Sequence, residues 1–123
     1  MTADNKLLDA YLQLALVPDK SPEKEKVWWA FDEMYDVVRK QPERAWLIIC
    51  SAAARPLSAE EKCYFAAGPV EDFLVYHGVD YIEKVEQEAI SSNGFNDLLG
   101  GVWQNTIGDE IWSRIMKVRR NVW

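Results

Sequence analysis

The chain is poor in the residues from which most catalytic sites are built. It has one histidine, His77, and two cysteines, Cys50 and Cys63, among 123 residues. A serine or cysteine triad would have to use His77 as its base, yet no GxSxG elbow presents Ser51, Ser58, Cys50 or Cys63 to it. Gly100-Gly101 is not followed by Lys-Ser/Thr and GxGxxG is missing, so phosphate-loop and dinucleotide readings fail and no cofactor is expected. The cysteines form no CxxC pair. Cys50, within AWLIICSAAA, reads as a packed, reduced thiol, and a Cys50–Cys63 disulfide is unnecessary in the cytosol. No apolar run approaches the roughly 18 residues of a membrane span. The start, MTADNKLLDAYLQLALVPD, lacks the basic region and the clean apolar region of a secretion signal. We therefore expect a cytoplasmic protein that does not enter a membrane.

Positive charge is scarce as well. Twenty Asp+Glu oppose fourteen Lys+Arg, a formal charge of −6. Four of those cations, Arg114, Lys117, Arg119 and Arg120, follow the final acid, Glu110, so residues 1–110 carry ten cations against the same twenty acids. Such a body repels phosphate backbones and attracts basic partners, although acidity also serves solubility. Nucleic acid is not expected as a ligand. What the chain has in abundance is apolar material, 49% of residues including six Trp, enough for one folded domain over 1–123.

The apolar spacing is helical throughout. Leu7, Leu8, Tyr11, Leu12, Ala15 and Leu16 form one stripe, stopped by Pro18. Ser21 and Pro22 open a second helix as N-cap and first residue, with Trp28, Phe31, Tyr35 and Val38 as its main buried stripe. Gln41-Pro42 starts a third, almost wholly apolar helix that Arg55-Pro56 ends. Ser58-Ala59-Glu60-Glu61 is a capping box whose helix closes at Gly68. Pro69 restarts a short helix ending at Gly78, and Asp80–Ile90 follows as a separate amphipathic helix. Ser91-Ser92-Asn93-Gly94 reads as a turn, Gly100-Gly101 as a break, and Asp109-Glu110 as the start of a last helix. No stretch alternates with period two. These spacings predict an all-α domain of about six to seven helices, stacked as antiparallel pairs in a compact bundle or a short α-solenoid.

Few residues offer chemistry. Glu71, Asp72 and His77 could act as acid, base or metal ligands, and as an enzyme or metal site they would have to converge in one pocket. Their spacing is poor for a shared helix face, and acids at a helix start with a histidine at its end also suit the helix dipole. Trp103-Gln104-Asn105, beside a Gly-Gly turn, reads either as a recognition surface or as a core plug with capping amides. Trp123 is a candidate exposed contact. Eight acids against Lys62 and Lys84 across residues 60–88 mark a second candidate surface, the outward acids Asp80, Glu83 and Glu86.

The order Trp46-x-x-Ile49, Ala67-Gly68-Pro69-x-Glu71-Asp72, His77-Gly78, Leu98-Leu99-Gly100-Gly101-Val102-Trp103 and Ile111-Trp112 resembles a family of small bacterial proteins of unknown function. AGPLED-like, HG and GGVW motifs recur there in the same order, and Val70 here replaces the usual Leu. The resemblance covers roughly the C-terminal two-thirds of the chain. It implies an all-helical domain without established activity, similar to proteins found near polymorphic toxin genes, where small acidic helical proteins often serve as immunity factors. The expectation is a non-catalytic binding protein, monomer or weak homodimer, whose partner is a basic toxin domain. Its expected contacts are Asp80, Glu83, Glu86, Trp103 and Gln104, with Glu71, Asp72 and His77 as an alternative polar site.

Overall fold

A computed structural model describes residues 2–123. Among them there is no strand. The helical segments are α1 (Ala3–Gln13), α2 (Pro22–Val27), α3 (Trp29–Lys40), α4 (Pro42–Ala53), α5 (Ala59–Phe65), a π turn (Ala66–Val70), α6 (Glu71–Ser91), α7 (Asn93–Leu99) and α8 (Asp109–Val118). Because α2 runs into α3 through a helical Trp28, and α5 into α6 through the π turn, they make six helical bodies.

The starts follow local chemistry. Ser21 accepts the Lys24 amide ahead of Pro22, and Ser58 with Glu61 closes a reciprocal capping box. Pro42 begins α4 as expected, but it also leaves the Val38 carbonyl at the end of α3 without its helical donor. His77 supplies that donor, its Nε2 lying 2.7 Å from the Val38 oxygen. A carbonyl only accepts, so Nε2 carries the proton.

The glycine breaks expected at 68 and 78 do not occur. Neither glycine has positive φ, and the helical run is unbroken from Ala59 to Ser91. Pro69 lacks an amide and its ring crowds the carbonyl four residues back, which would normally end a helix. Here the ladder widens instead, the Glu71 amide reaching the Ala66 carbonyl five residues earlier. Gly68 and Gly78 serve close packing. A Cβ at Gly68 would stand 2.5 Å from the Tyr11 hydroxyl, and one at Gly78 would stand 3.1 Å from Ile111 of α8. Asn93-Gly94 likewise lies inside α7, where a Cβ on Gly94 would meet the Ala53 carbonyl at 2.0 Å.

With these glycines as contact points, α6 runs through the middle of the molecule against α3, α4, α7 and α8, while α1 packs on α3, α4 and α5. Elements touch well beyond their chain neighbours, which makes a bundle and not a solenoid. Leu7 and Leu8, Ile48 and Ile49, Phe65, Phe73, Phe95 and Ile115 fill the core. Trp46 forms an aromatic hub with Phe73, Tyr81 and Phe95 at 5.5–6.0 Å between ring centres.

The expected core stripe of α3 is corrected. Ala30, Met34, Val37 and Val38 face inward, whereas Trp28, Phe31 and Tyr35 are 41%, 36% and 40% exposed. The smaller residues let α1, α4 and α6 approach α3 closely, and the rings are left on the outer side. The six Trp report the surface more than the core: none is fully buried, and Trp28, Trp29, Trp103 and Trp123 are exposed.

Candidate functional site

The three residues of the alternative polar site point to three places. Glu71 is buried and turns to the loop after Gly101, accepting from the Trp103 amide at 3.4 Å and from the Asn105 side chain. Asn105 can sit there because its amide tolerates the left-handed backbone (φ 44°) that aims it at the carboxylate. His77 is committed to Val38. Asp72 alone faces a cavity. The structure does not bring the three together, and no cluster of three metal-ligating side chains occurs among the described residues.

The Trp103 loop separates its two candidate contacts. Glu71 pins the Trp103 amide while the indole stays 71% exposed, so this ring is displayed and does not plug the core. Gln104 has a structural task, donating to the Ile107 carbonyl at 3.1 Å and the Asp109 carboxylate at 2.7 Å across the start of α8.

Of the three outward acids, Glu86 is taken. Arg114 of α8 grips it with two donors, Nε at 2.9 Å and Nη2, and this contact holds the Glu86 carboxyl below its usual range. Asp80 and Glu83 are exposed and belong to none of the six ion pairs among the described residues. They lie on one stripe of α6 with Tyr76, Val79, Gln87 and Ile90, all within an arc of about 100° at 100° per residue. Val79 is 80% and Ile90 69% exposed, unusual for branched apolar side chains on an otherwise well-covered helix. Glu71, the anchor of the Trp103 loop, sits about 130° around α6 from the middle of this stripe, so Trp103 and the acids face different directions.

Three of the four cations in the basic C-terminal stretch are spent internally, and Lys117 stays exposed. Besides Arg114, Arg119 donates to the Val102 carbonyl at 3.2 Å and stacks on Trp112 at 4.7 Å. The Arg120 guanidinium bonds Asn93 at 2.8 Å and its amide bonds the Asn96 carboxamide at 2.9 Å. Trp123 is exposed, as expected, at 46%, and it also serves as a clasp. Its indole donates to the Asp97 carbonyl at 2.8 Å and covers Gly101, where a Cβ would stand 2.5 Å from the ring.

One end of the α6 stripe opens into a groove of about 280 Å³ between α3 and the π turn. Tyr11, Phe31 and Tyr35 form its walls, Gly68 and Pro69 its floor, and Asp72 is the only charged side chain on its lining. Burial, and then the neighbouring Glu71 charge, raise the Asp72 carboxyl above its usual range. Past Tyr11 and Phe31 a wider hollow of about 620 Å³ continues over Ala67, Tyr64 and Cys63. Cys63 is exposed there, whereas Cys50, expected as a packed thiol, is half-buried and its pKa is pushed up to about 11 by burial and by Glu88.

Fold and surface together define an all-helical bundle with an acid-and-apolar helix stripe leading to an aromatic groove. The chain belongs to DUF6869, a family of unknown function whose model matches residues 18–122. That match reaches back through α2 and α3, further than the C-terminal two-thirds carried by the motifs. Neither a curated protein nor a solved structure matches the chain. Sequence reasoning missed the groove because the residues marked as core, Phe31 and Tyr35, are its walls, and Gly68-Pro69, taken as a break, is its floor.

Proposed function

We propose that this is a non-catalytic protein-binding module, most concretely an immunity protein that acts in the bacterial cytoplasm by covering the active site of a basic toxin domain. The observation that carries the reading is the α6 stripe, where unpaired Asp80 and Glu83 alternate with exposed Tyr76, Val79 and Ile90. Apolar contacts supply affinity that a polar surface lacks, and the acids between them select a basic partner and speed its approach. The net charge of −6 extends that attraction beyond the contact itself, as rapid neutralisation of a toxin requires. The motif resemblance to proteins encoded near toxin genes is what makes a toxin domain the proposed partner.

The test takes basic toxin domains encoded beside genes of this family and expresses each in a sensitive host with and without the chain. Restored growth is expected, and no restoration overturns the immunity reading. Asp80→Lys combined with Glu83→Lys is expected to weaken binding at least about tenfold and to flatten its salt dependence. An unchanged affinity and salt slope would show that this stripe is not the interface.

A further inference from the structure

We infer that the groove at the π turn receives the guanidinium of an arginine side chain presented by a basic protein partner. Its lining pairs three aromatic residues, Tyr11, Phe31 and Tyr35, with one carboxylate, Asp72. Asp72 is half-buried and belongs to none of the six ion pairs formed among the described residues. A carboxylate drawn out of water without a cation is costly, and the same carboxylate beside ring faces is a good host for one. The unfavourable placement of Asp72 is relieved when the ligand brings the charge.

The choice of arginine follows from shape and hydration. A flat, weakly hydrated guanidinium can stack on the rings while its fork meets the carboxylate, whereas an ammonium would surrender more hydration to enter. The chain itself makes the same contact just outside, where the Arg39 guanidinium stands 4.7 Å from the Tyr35 ring centre and 5.8 Å from that of Tyr76. A space of about 280 Å³ fits one long side chain. The side chain must be carried by something larger. Asp72 precedes Tyr76 by one helical turn on the exposed stripe of α6, so a protein lying along that stripe reaches the groove with its end. To that extent the inference rests on the stripe being partner-facing.

A pentapeptide, acetyl-Ala-Ala-Arg-Ala-Ala-amide, and its citrulline counterpart separate charge from shape. In a titration followed by aromatic and amide NMR signals, the arginine peptide is expected to give saturable shifts at Tyr11, Phe31, Tyr35 and Gly68. The citrulline peptide, nearly the same shape but neutral, should bind at least about tenfold more weakly. Asp72→Asn should cause a similar loss with an unchanged circular dichroism spectrum, and Tyr35→Leu a loss of severalfold. Asp80→Asn with Glu83→Gln should leave peptide affinity within about twofold, since both lie at least two helical turns away. Equal binding of the two peptides, shifts elsewhere, or no saturable shift would overturn the inference. So would concentration-dependent shifts at the same residues without peptide, which would mark the groove as a contact between copies of this chain. Because the peptide assay needs no toxin, the groove can pass while the immunity reading fails, and the reverse.

Discussion

A single hydroxyl decides what the residue at position 68 can be. Gly68 lies in a helical segment, where alanine is ordinarily better by about 0.5–1 kcal/mol, yet its missing Cβ is the space that the buried Tyr11 hydroxyl uses. Gly68→Ala should therefore destabilise by about 1–3 kcal/mol through overpacking. In a Tyr11→Phe background the nearest ring atom is the carbon 3.7 Å away, an ordinary contact, so the same substitution should be neutral or stabilising. Chemical denaturation of the four proteins in this cycle measures the difference, and a Gly68→Ala cost that persists without the hydroxyl would refute the steric account. The glycine is visible in the sequence. The tyrosine that requires it is fifty-seven positions away, and no local pattern couples the two.

Elements are tied at their ends by side chains that a helical pattern does not reveal. Asn96 is the clearest case: buried in α7, it donates to the Ala89 carbonyl near the end of α6 and the Val118 carbonyl at the end of α8, and accepts the Arg120 amide. One carboxamide thus satisfies backbone groups from three segments. Replacing it with alanine leaves them unpaired and should cost about 2–3 kcal/mol. Asn93→Ala, which removes only an exposed contact to Arg120, should cost a small fraction of that in the same urea titration. Equal costs for the two would mean that water replaces the Asn96 bonds. His77 does comparable work for the end of α3, so the chain's only imidazole is explained by a proline that removed a donor from another helix. The capping residues Ser21 and Ser58 were legible because a cap acts within three residues. Asn96 and His77 were not, since each serves backbone far along the chain.

At the scale of the molecule, the split between an acidic body and a basic tail is real in sequence and largely cancelled in space. Arg114, Arg119 and Arg120 are held against Glu86, the Val102 carbonyl, Asn93 and Trp112, so they fasten α6, α7 and α8 together, and Lys117 is left as the one exposed cation of the tail without a partner among the described residues. Two acids should then move stability in opposite directions with pH. Arg114 lowers the Glu86 pKa in the folded state, so that pair stabilises at neutral pH and its contribution is lost as pH falls through the folded value. Burial raises the Asp72 pKa above 3.8, so ionisation costs the folded state stability as pH climbs from that value through the folded one. Glu86→Gln should lower the melting temperature at pH 7 and Asp72→Asn should raise it, each by a few degrees at most, with both differences fading near pH 3. Melting curves of the two variants at pH 3 and 7 check the signs, and a shared sign at pH 7 would refute the assignment.

The sequence by itself determined the helical class, the positions of most helix starts, and the excess of acid, because propensity, capping and composition act locally or add up without regard to shape. It also marked Asp80 and Glu83 as outward, since an amphipathic period reports which face meets water. Tertiary packing decided which apolar face of α3 is core, whether Gly68 and Gly78 end a helix or admit a neighbour, and which cations remain available. Those outcomes depend on what stands opposite each residue. The aromatic groove exists for the same reason: α3 buries its small residues against three helices, and its rings are left facing a helix that a proline widened without breaking.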